Sequence, residues 1–133
     1  LGLDQAVRLV GQVPTDQVAG RLETADLYVS ASTVETFGLA AVEAAACGLP
    51  LLTSDVGFPA VLAREGGGWV VPAGDSQALR RVLAEAAADR NRLAAIGDRM
   101  RERVEQLRLT WSGAAAKTAA VYQEVLRRPR GRG

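Results

Sequence analysis

Two short apolar runs, DLYVSAS (26–32) and LPLLTSD (49–55), bracket one alanine-rich segment, ETFGLAAVEAAACGLP (35–50). Each run is the length of a strand rather than a helix, and apolar enough to be buried on both faces. The segment between them is small and apolar, and it stops at Gly48, read as the C-cap, with Pro50 just beyond. That is how a helix ends. Strand, helix and strand in quick succession demand a parallel pair, since two parallel strands need a crossover connection.

The rest of the chain extends this alternation. VRLVG (7–11) reads as a further strand, ended by Gly11 with Pro14 beyond. TDQVAGRLETA (15–25) reads as a helix with Thr15 and Asp16 as N-cap candidates and Val18, Leu22 and Ala25 on one face. GGGWVVPAGD (66–75) is a turn, a strand over Trp69 to Val71, and a second turn. Three apolar stripes at helical spacing follow. The first is Leu79, Val82, Leu83 and Ala86; the second is Leu93, Ile96, Met100, Val104 and Leu107. The last is Trp111, Ala115, Thr118, Tyr122 and Val125. The fold class expected is α/β, with a parallel sheet, flanking helices and a helical C-terminal tail.

Composition removes several functions. With 133 residues and 48% hydrophobic content the chain fits one domain with a core. A formal net charge of +1 gives no pull toward nucleic acid, membrane or acidic partners. The one cysteine, Cys47, excludes an intrachain disulfide and suits a reducing compartment. With no histidine, neither a zinc site nor imidazole base catalysis is expected, and no metal ligands cluster. No apolar run approaches the ~20 residues of a membrane span, and no signal-peptide pattern opens the chain. Because it starts Leu1-Gly2-Leu3, the chain reads as a fragment. No Lys or Arg lies between Arg21 and Arg64, while the C-terminal half is basic with Glu and Asp interleaved. That half reads as a solvated helix face. Its end, RRPRGRG, reads as a flexible tail without the interleaved aromatics of a nucleic-acid site.

Two glutamates stand out within the alanine-rich segment, Glu35 and Glu43, with seven residues between them in an apolar setting. In a parallel α/β sheet, ligands bind beyond the carboxyl ends of strands, at the N-termini of the following helices. The first turn of the helix, starting near Phe37-Gly38, offers unpaired N–H groups and a positive dipole end to a phosphate. Gly38, without a side chain, would let a ligand approach the backbone. Glu43 lies further along the axis, at about the span from a terminal phosphate to a ribose, ~9 Å at 1.5 Å per residue. A carboxylate accepts bonds from two vicinal hydroxyls at once, so it fits a ribose. On the residues alone, Glu43 can equally be a surface glutamate, and Glu35 a carboxylate that favours the helix dipole.

The segment ETFGLAAVEAAACGLP resembles the E-x7-E motif of retaining glycosyltransferases with the two-Rossmann-domain (GT-B) fold, in the group-one family of mannosyltransferases and glycogen synthases. The likeness covers nearly the whole chain. VRLVGQVPTDQVAGRLETADLYVSAS is similar to the family's segment before the motif, and GWVVPAGDSQALRRVL to the one after it. LTWSGAAAKTAAVYQEVL resembles the closing helix. The resemblance implies a Rossmann-like donor-binding domain over 1–110, a closing helix over 111–127 and a basic flexible tail over 128–133. It implies Glu35 as the catalytic glutamate near the donor sugar and diphosphate. Thr36, Phe37, Gly38 and Leu39 would line that site, and Glu43 would hold the ribose. Val13 matches the position whose backbone contacts the base.

The partner implied is a nucleoside diphosphate sugar, with no cofactor and no metal. The acceptor would be held by an N-terminal domain, which, like the family's diphosphate-neutralising Arg and Lys, lies upstream of these residues. The location expected is cytoplasmic, with the inner face of the membrane as a variant. Ala60 stands where the family usually has Glu. In the doubly wound order 3-2-1-4-5-6, VRLVG aligns with the third strand and DLYVS with the fourth, which leaves a gap between them. Another segment or another copy of the chain would then complete the sheet, or VRLVG would pair elsewhere. The isolated fragment is expected to be inactive. Other readings are a sugar-nucleotide epimerase or phosphorylase of the same architecture, or a non-catalytic nucleotide-binding or interaction module.

Overall fold

The structure is a computed structural model, and it describes residues 2–127. Three parallel strands form the sheet: β1 (Tyr28–Ser30), β2 (Leu51–Ser54) and β3 (Trp69–Val71), in the spatial order β1-β2-β3. Tyr28 pairs with Leu51 and Ser30 with Thr53; Leu52 pairs with Trp69 and Ser54 with Val71. Six helices surround it: α1 (Thr15–Leu22), α2 (Leu39–Ala46), α3 (Gly57–Gly66), α4 (Ser76–Ala88), α5 (Arg90–Gln106) and α6 (Trp111–Arg127). The architecture is thus α/β with a parallel sheet and a helical C-terminus.

β2 is central, and all four of its residues are buried, as a strand with two neighbours and helices around it must be. β1 departs from the expectation of burial on both faces, because one of its edges is open and Val29 is 41% exposed. The expected strand at 7–11 does not form. Residues 7–10 are irregular, and Leu9 is 93% exposed. Without a neighbouring strand among the described residues, the run gains no ladder of hydrogen bonds to hold it as a strand.

The core gathers Leu51 and Leu52 of β2, Ala44 and Ala45 of α2, Leu62 and Ala63 of α3, and Ile96 and Met100 of α5. α5 is the clamp, packing against both α2 and α3. Its buried face is Leu93, Ile96, Gly97, Met100 and Val104, close to the stripe read from spacing. Gly97 is needed there, because a side chain would run into the carbonyl oxygen of Gly48. The first residue of α4 is capped by Asp75, whose Oδ1 accepts the Ala78 N–H at 2.8 Å. α1 lacks such a cap: Pro14 holds the N-cap position, not Thr15 or Asp16. The Gln17 N–H bonds the Pro14 carbonyl oxygen at 2.9 Å instead, so one donor of the helix start is met by backbone. α3 has no counterpart in the sequence reading above. The stripe of α6 finds no partner among the described residues: only Gly113 is buried, and Trp111 is 93% exposed. The basic tail over 128–133 lies outside the described residues.

α2 and α5 close in the same way. The N–H of Gly48 bonds Ala45 O and that of Leu49 bonds Ala44 O, the paired bonds of a Schellman turn. At α5 the corresponding bonds run from Arg108 to Glu105 and from Leu109 to Val104. Gly48 takes the left-handed conformation at φ 81° without strain, but Arg108 takes it at φ 51° with a side chain. Arg108→Gly is therefore expected to stabilise the fold by about 0.5–1 kcal/mol, the strain relieved less the entropy that glycine loses. A thermal scan should show a midpoint raised by a few degrees. A lowered midpoint would mean that the arginine side chain supports the turn.

Candidate functional site

β1 ends at Ser30, and the chain then crosses residues 31–38 before α2 begins. This loop lies at the carboxyl end of the sheet, where an open α/β fold binds its ligands. Several contacts shape it. Ser54 Oγ, at the end of β2, donates to Ser32 O. Phe58 N–H donates to Thr36 O at 2.8 Å. Glu35 closes the turn on itself: its Oε1 accepts the N–H groups of Thr36 at 2.8 Å and Gly38 at 3.0 Å. Glu35 is half-buried. It adds to the upward shift of the Tyr28 hydroxyl, which burial chiefly causes and a hydrogen bond with Ser30 partly offsets.

Gly38 is the N-cap of α2 at φ 65°. The reason for glycine differs from ligand access. The space where its side chain would stand is filled by Pro59, whose Cδ lies 3.1 Å from that point. Left-handed backbone and close packing together require glycine here. One donor of the helix start, the Gly38 N–H, is already taken by Glu35. The N–H groups of Leu39 and Ala40 have no acceptor among the described residues and carry the dipole's positive end.

A groove of about 590 Å³ opens beside this helix start. Phe37, Leu39, Val42 and Glu43 form one wall; Arg108, Thr110, Trp111 and Lys117 form the facing one. The size suits a nucleotide-like or drug-sized ligand. Glu43 is exposed and makes no hydrogen bond or ion pair among the described residues, five residues into α2 by count from Leu39. Its axial offset is therefore nearer ~6 Å from the helix start than the ~9 Å expected, because α2 begins at Leu39. Its charge also reaches Cys47. Burial is the main cause that raises that thiol, with Glu23 and Glu43 adding and Arg101 opposing.

The structure thus brings Phe37, Leu39 and Glu43 to one groove and sets Glu35, Thr36 and Gly38 in the loop beside it. Val13 is half-buried ahead of α1 and is not a groove residue, although Thr15 is. Sequence reasoning missed the opposite wall. It found no cation between residues 22 and 63, yet Arg108 and Lys117 arrive from the far end of the chain. Lys117 Nζ there donates to Leu107 O at 2.7 Å. Only the left-handed turn at Arg108 brings them round, and an arginine gives no sequence signal for such a turn.

Residues 1–103 match the family described as glycosyl transferases group 1. The chain is 35% identical, over 128 residues, to a D-inositol 3-phosphate glycosyltransferase of Streptomyces bingchenggensis, covering 96% of this chain and 28% of that protein. It is 37% identical to a glycogen synthase of Mycobacterium tuberculosis over 123 residues, 89% of this chain and 28% of that one. Among solved structures, a sucrose-phosphate synthase from Thermosynechococcus elongatus superposes with a TM-score of 0.86 at 33% identity. That match covers 93% of this chain and 31% of the synthase. The chain spans about three tenths of the length of these relatives. With a family match over most of its residues and a parallel sheet that superposes on a relative's, the chain belongs to the group 1 glycosyltransferases.

Proposed function

We propose that these residues form the donor-binding part of a retaining glycosyltransferase, which moves a sugar from a nucleoside diphosphate sugar to an acceptor. The observation that carries this reading is the groove at the start of α2, which an unbonded carboxylate, Glu43, lines together with Arg108 and Lys117. The ribose hydroxyls would bond Glu43. The diphosphate would lie at the helix start, against the N–H groups of Phe37, Leu39 and Ala40, with Arg108 and Lys117 across the groove. Glu35 would position the donor sugar from the loop, in the same turn that it already closes. Thr36 and Gly38 supply that turn, and the backbone at Val13 would meet the base.

As the glycosidic bond breaks, positive charge grows on the sugar and negative charge on the departing diphosphate. Fixed N–H dipoles at a helix start stabilise the second without reorganising. Further cations, and the acceptor site, would come from residues outside this chain, so the 133-residue chain alone is expected to transfer no sugar. The names of the relatives, a D-inositol 3-phosphate glycosyltransferase, a glycogen synthase and a sucrose-phosphate synthase, support sugar transfer and leave base and acceptor open.

The test is to incubate the full-length protein with UDP-, GDP- and ADP-sugars and a panel of sugar acceptors. The anomeric configuration of any product is then read by NMR. Product with the donor's configuration supports the reading; inverted product overturns retention, and no release from any donor overturns transfer. The proposal assigns no step to a metal. Turnover should persist in excess chelator. Complete loss that magnesium or manganese restores would refute the metal-free diphosphate site.

A further inference from the structure

Phe37 is 47% exposed on the groove wall, and the face it turns inward is covered by Phe58. The two rings lie nearly parallel, 3° apart in tilt with centroids at 5.3 Å. Phe58 sits in the first turn of α3, which follows β2, and it does not line the groove. The same residue donates its N–H to Thr36 O at 2.8 Å. On either side of it the packing is too close for ordinary residues. A side chain at Gly57, which has φ 63°, would press on the carbonyl oxygens of Glu35 and Thr36. Pro59 fills the space beside Gly38. Three consecutive residues, 57–59, are thus moulded onto the loop 35–38.

We propose that Phe58 is a positioning residue for the donor site: its ring fixes Phe37, and with it the Glu35–Gly38 turn, in the shape that receives the ligand. This rests on the donor reading above. Without the stack, Phe37 is free to turn about χ1 into the groove, and the turn keeps its hydrogen bonds and the close packing of Gly57 and Pro59 but loses the hold on its one aromatic side chain. A preformed wall spares the ligand the cost of ordering that loop on binding. A pair of parallel, offset rings gives orientation that an aliphatic side chain of similar size cannot, because its attraction depends on ring geometry.

The experiment compares Phe58→Leu, which keeps most of the volume, with Phe58→Tyr, which keeps the ring, in the full-length protein. Two readouts are taken. The first is amide hydrogen exchange at Thr36 and Gly38 without any ligand; the second is calorimetric titration with UDP, GDP and ADP. Phe58→Leu should speed exchange at those two amides several-fold while leaving residues 51–54 protected. It should weaken the best-bound nucleotide about five-fold, and Phe58→Tyr should stay within about two-fold of wild type on both measures. Wild-type rates and affinity in Phe58→Leu would overturn the proposal, and so would equal losses in both variants. If Phe58→Leu loses protection across β2, Phe37→Leu removes the same stack from its exposed side. The local rise in exchange at Gly38 must then appear there, and its absence overturns the proposal. Wild-type protein that binds none of the three nucleotides overturns the donor reading instead, while the exchange rates still decide what Phe58 does.

Discussion

Gly97→Ala is expected to lower the thermal midpoint by about 10 °C, the largest effect of any single methyl group in this fold. The added Cβ would collide with the carbonyl oxygen of Gly48 and lie 3.0 Å from its carbonyl carbon. Neither partner is a flexible side chain. Gly97 is in the body of α5, and Gly48 is locked in the hydrogen-bonded turn that ends α2. Relief requires α5 to move away from α2, which loosens the packing of Ile96 and Met100 on the core as well. Forced overpacking costs about 1–3 kcal/mol, and backbone on both sides places this case at the upper end. For a chain of this size each kcal/mol shifts the midpoint by about 3–5 °C. Helix propensity works the other way, favouring alanine by about 1 kcal/mol. Gly20→Ala in α1 isolates that term, since nothing lies within 4 Å of its added Cβ, and it should be neutral or stabilising. Calorimetric scans of both variants decide the matter. A Gly97→Ala protein as stable as wild type would show that α5 stands off the end of α2.

Glu43→Ala should weaken nucleoside diphosphate binding by about 1–3 kcal/mol, the usual loss of a charged hydrogen-bond partner, or roughly 5- to 150-fold in Kd. The thermal midpoint should stay put, because the carboxylate is exposed and bonds nothing among the described residues. Glu43→Gln separates charge from shape, since an amide still accepts one ribose hydroxyl and should recover part of the loss. Titration calorimetry on the full-length protein reads all three. Unchanged affinity in the alanine variant would end the ribose assignment.

How much was legible follows from how local each signal is. β2 and β3 were legible because a short apolar run between turn residues says strand whatever surrounds it. The stop of α2 at Gly48 was legible because a left-handed residue there favours glycine. The α5 stripe was legible because five apolar residues at helical spacing leave little choice of buried face. What failed depends on partners. VRLVG has strand composition, but strand pairing is a property of two segments, and residues 7–10 have no second one among the described residues. The α6 stripe has helical spacing and forms its helix, yet an apolar face is buried only where something covers it. α3 was missed because Gly57 and Pro59 look like a loop; proline is tolerated in a first helical turn, and Gly67 stops the helix. At the site, the loop and helix start were readable, whereas the facing wall of Arg108, Trp111 and Lys117 is sixty or more residues away in sequence. Gly38 shows the same limit on a smaller scale. Its presence could be read, but Pro59 as the reason could not.

The pressing of α5 onto the ends of α2 and α3 has a consequence for tolerance to mutation. Gly48, Gly66, Gly67 and Gly68 each meet Arg99, Arg101 or Met100 of α5 closely, and Gly97 meets Gly48. These positions lie around the clamp helix, whereas Glu43 lies on the groove beside the start of α2. A library scored for folded abundance would therefore mark this chemically silent glycine belt as forbidden ground and pass over Glu43 almost unmarked. The same library scored for turnover would mark both. Subtracting one map from the other separates residues kept for shape from those kept for chemistry, and a census of invariant positions in relatives would merge the two.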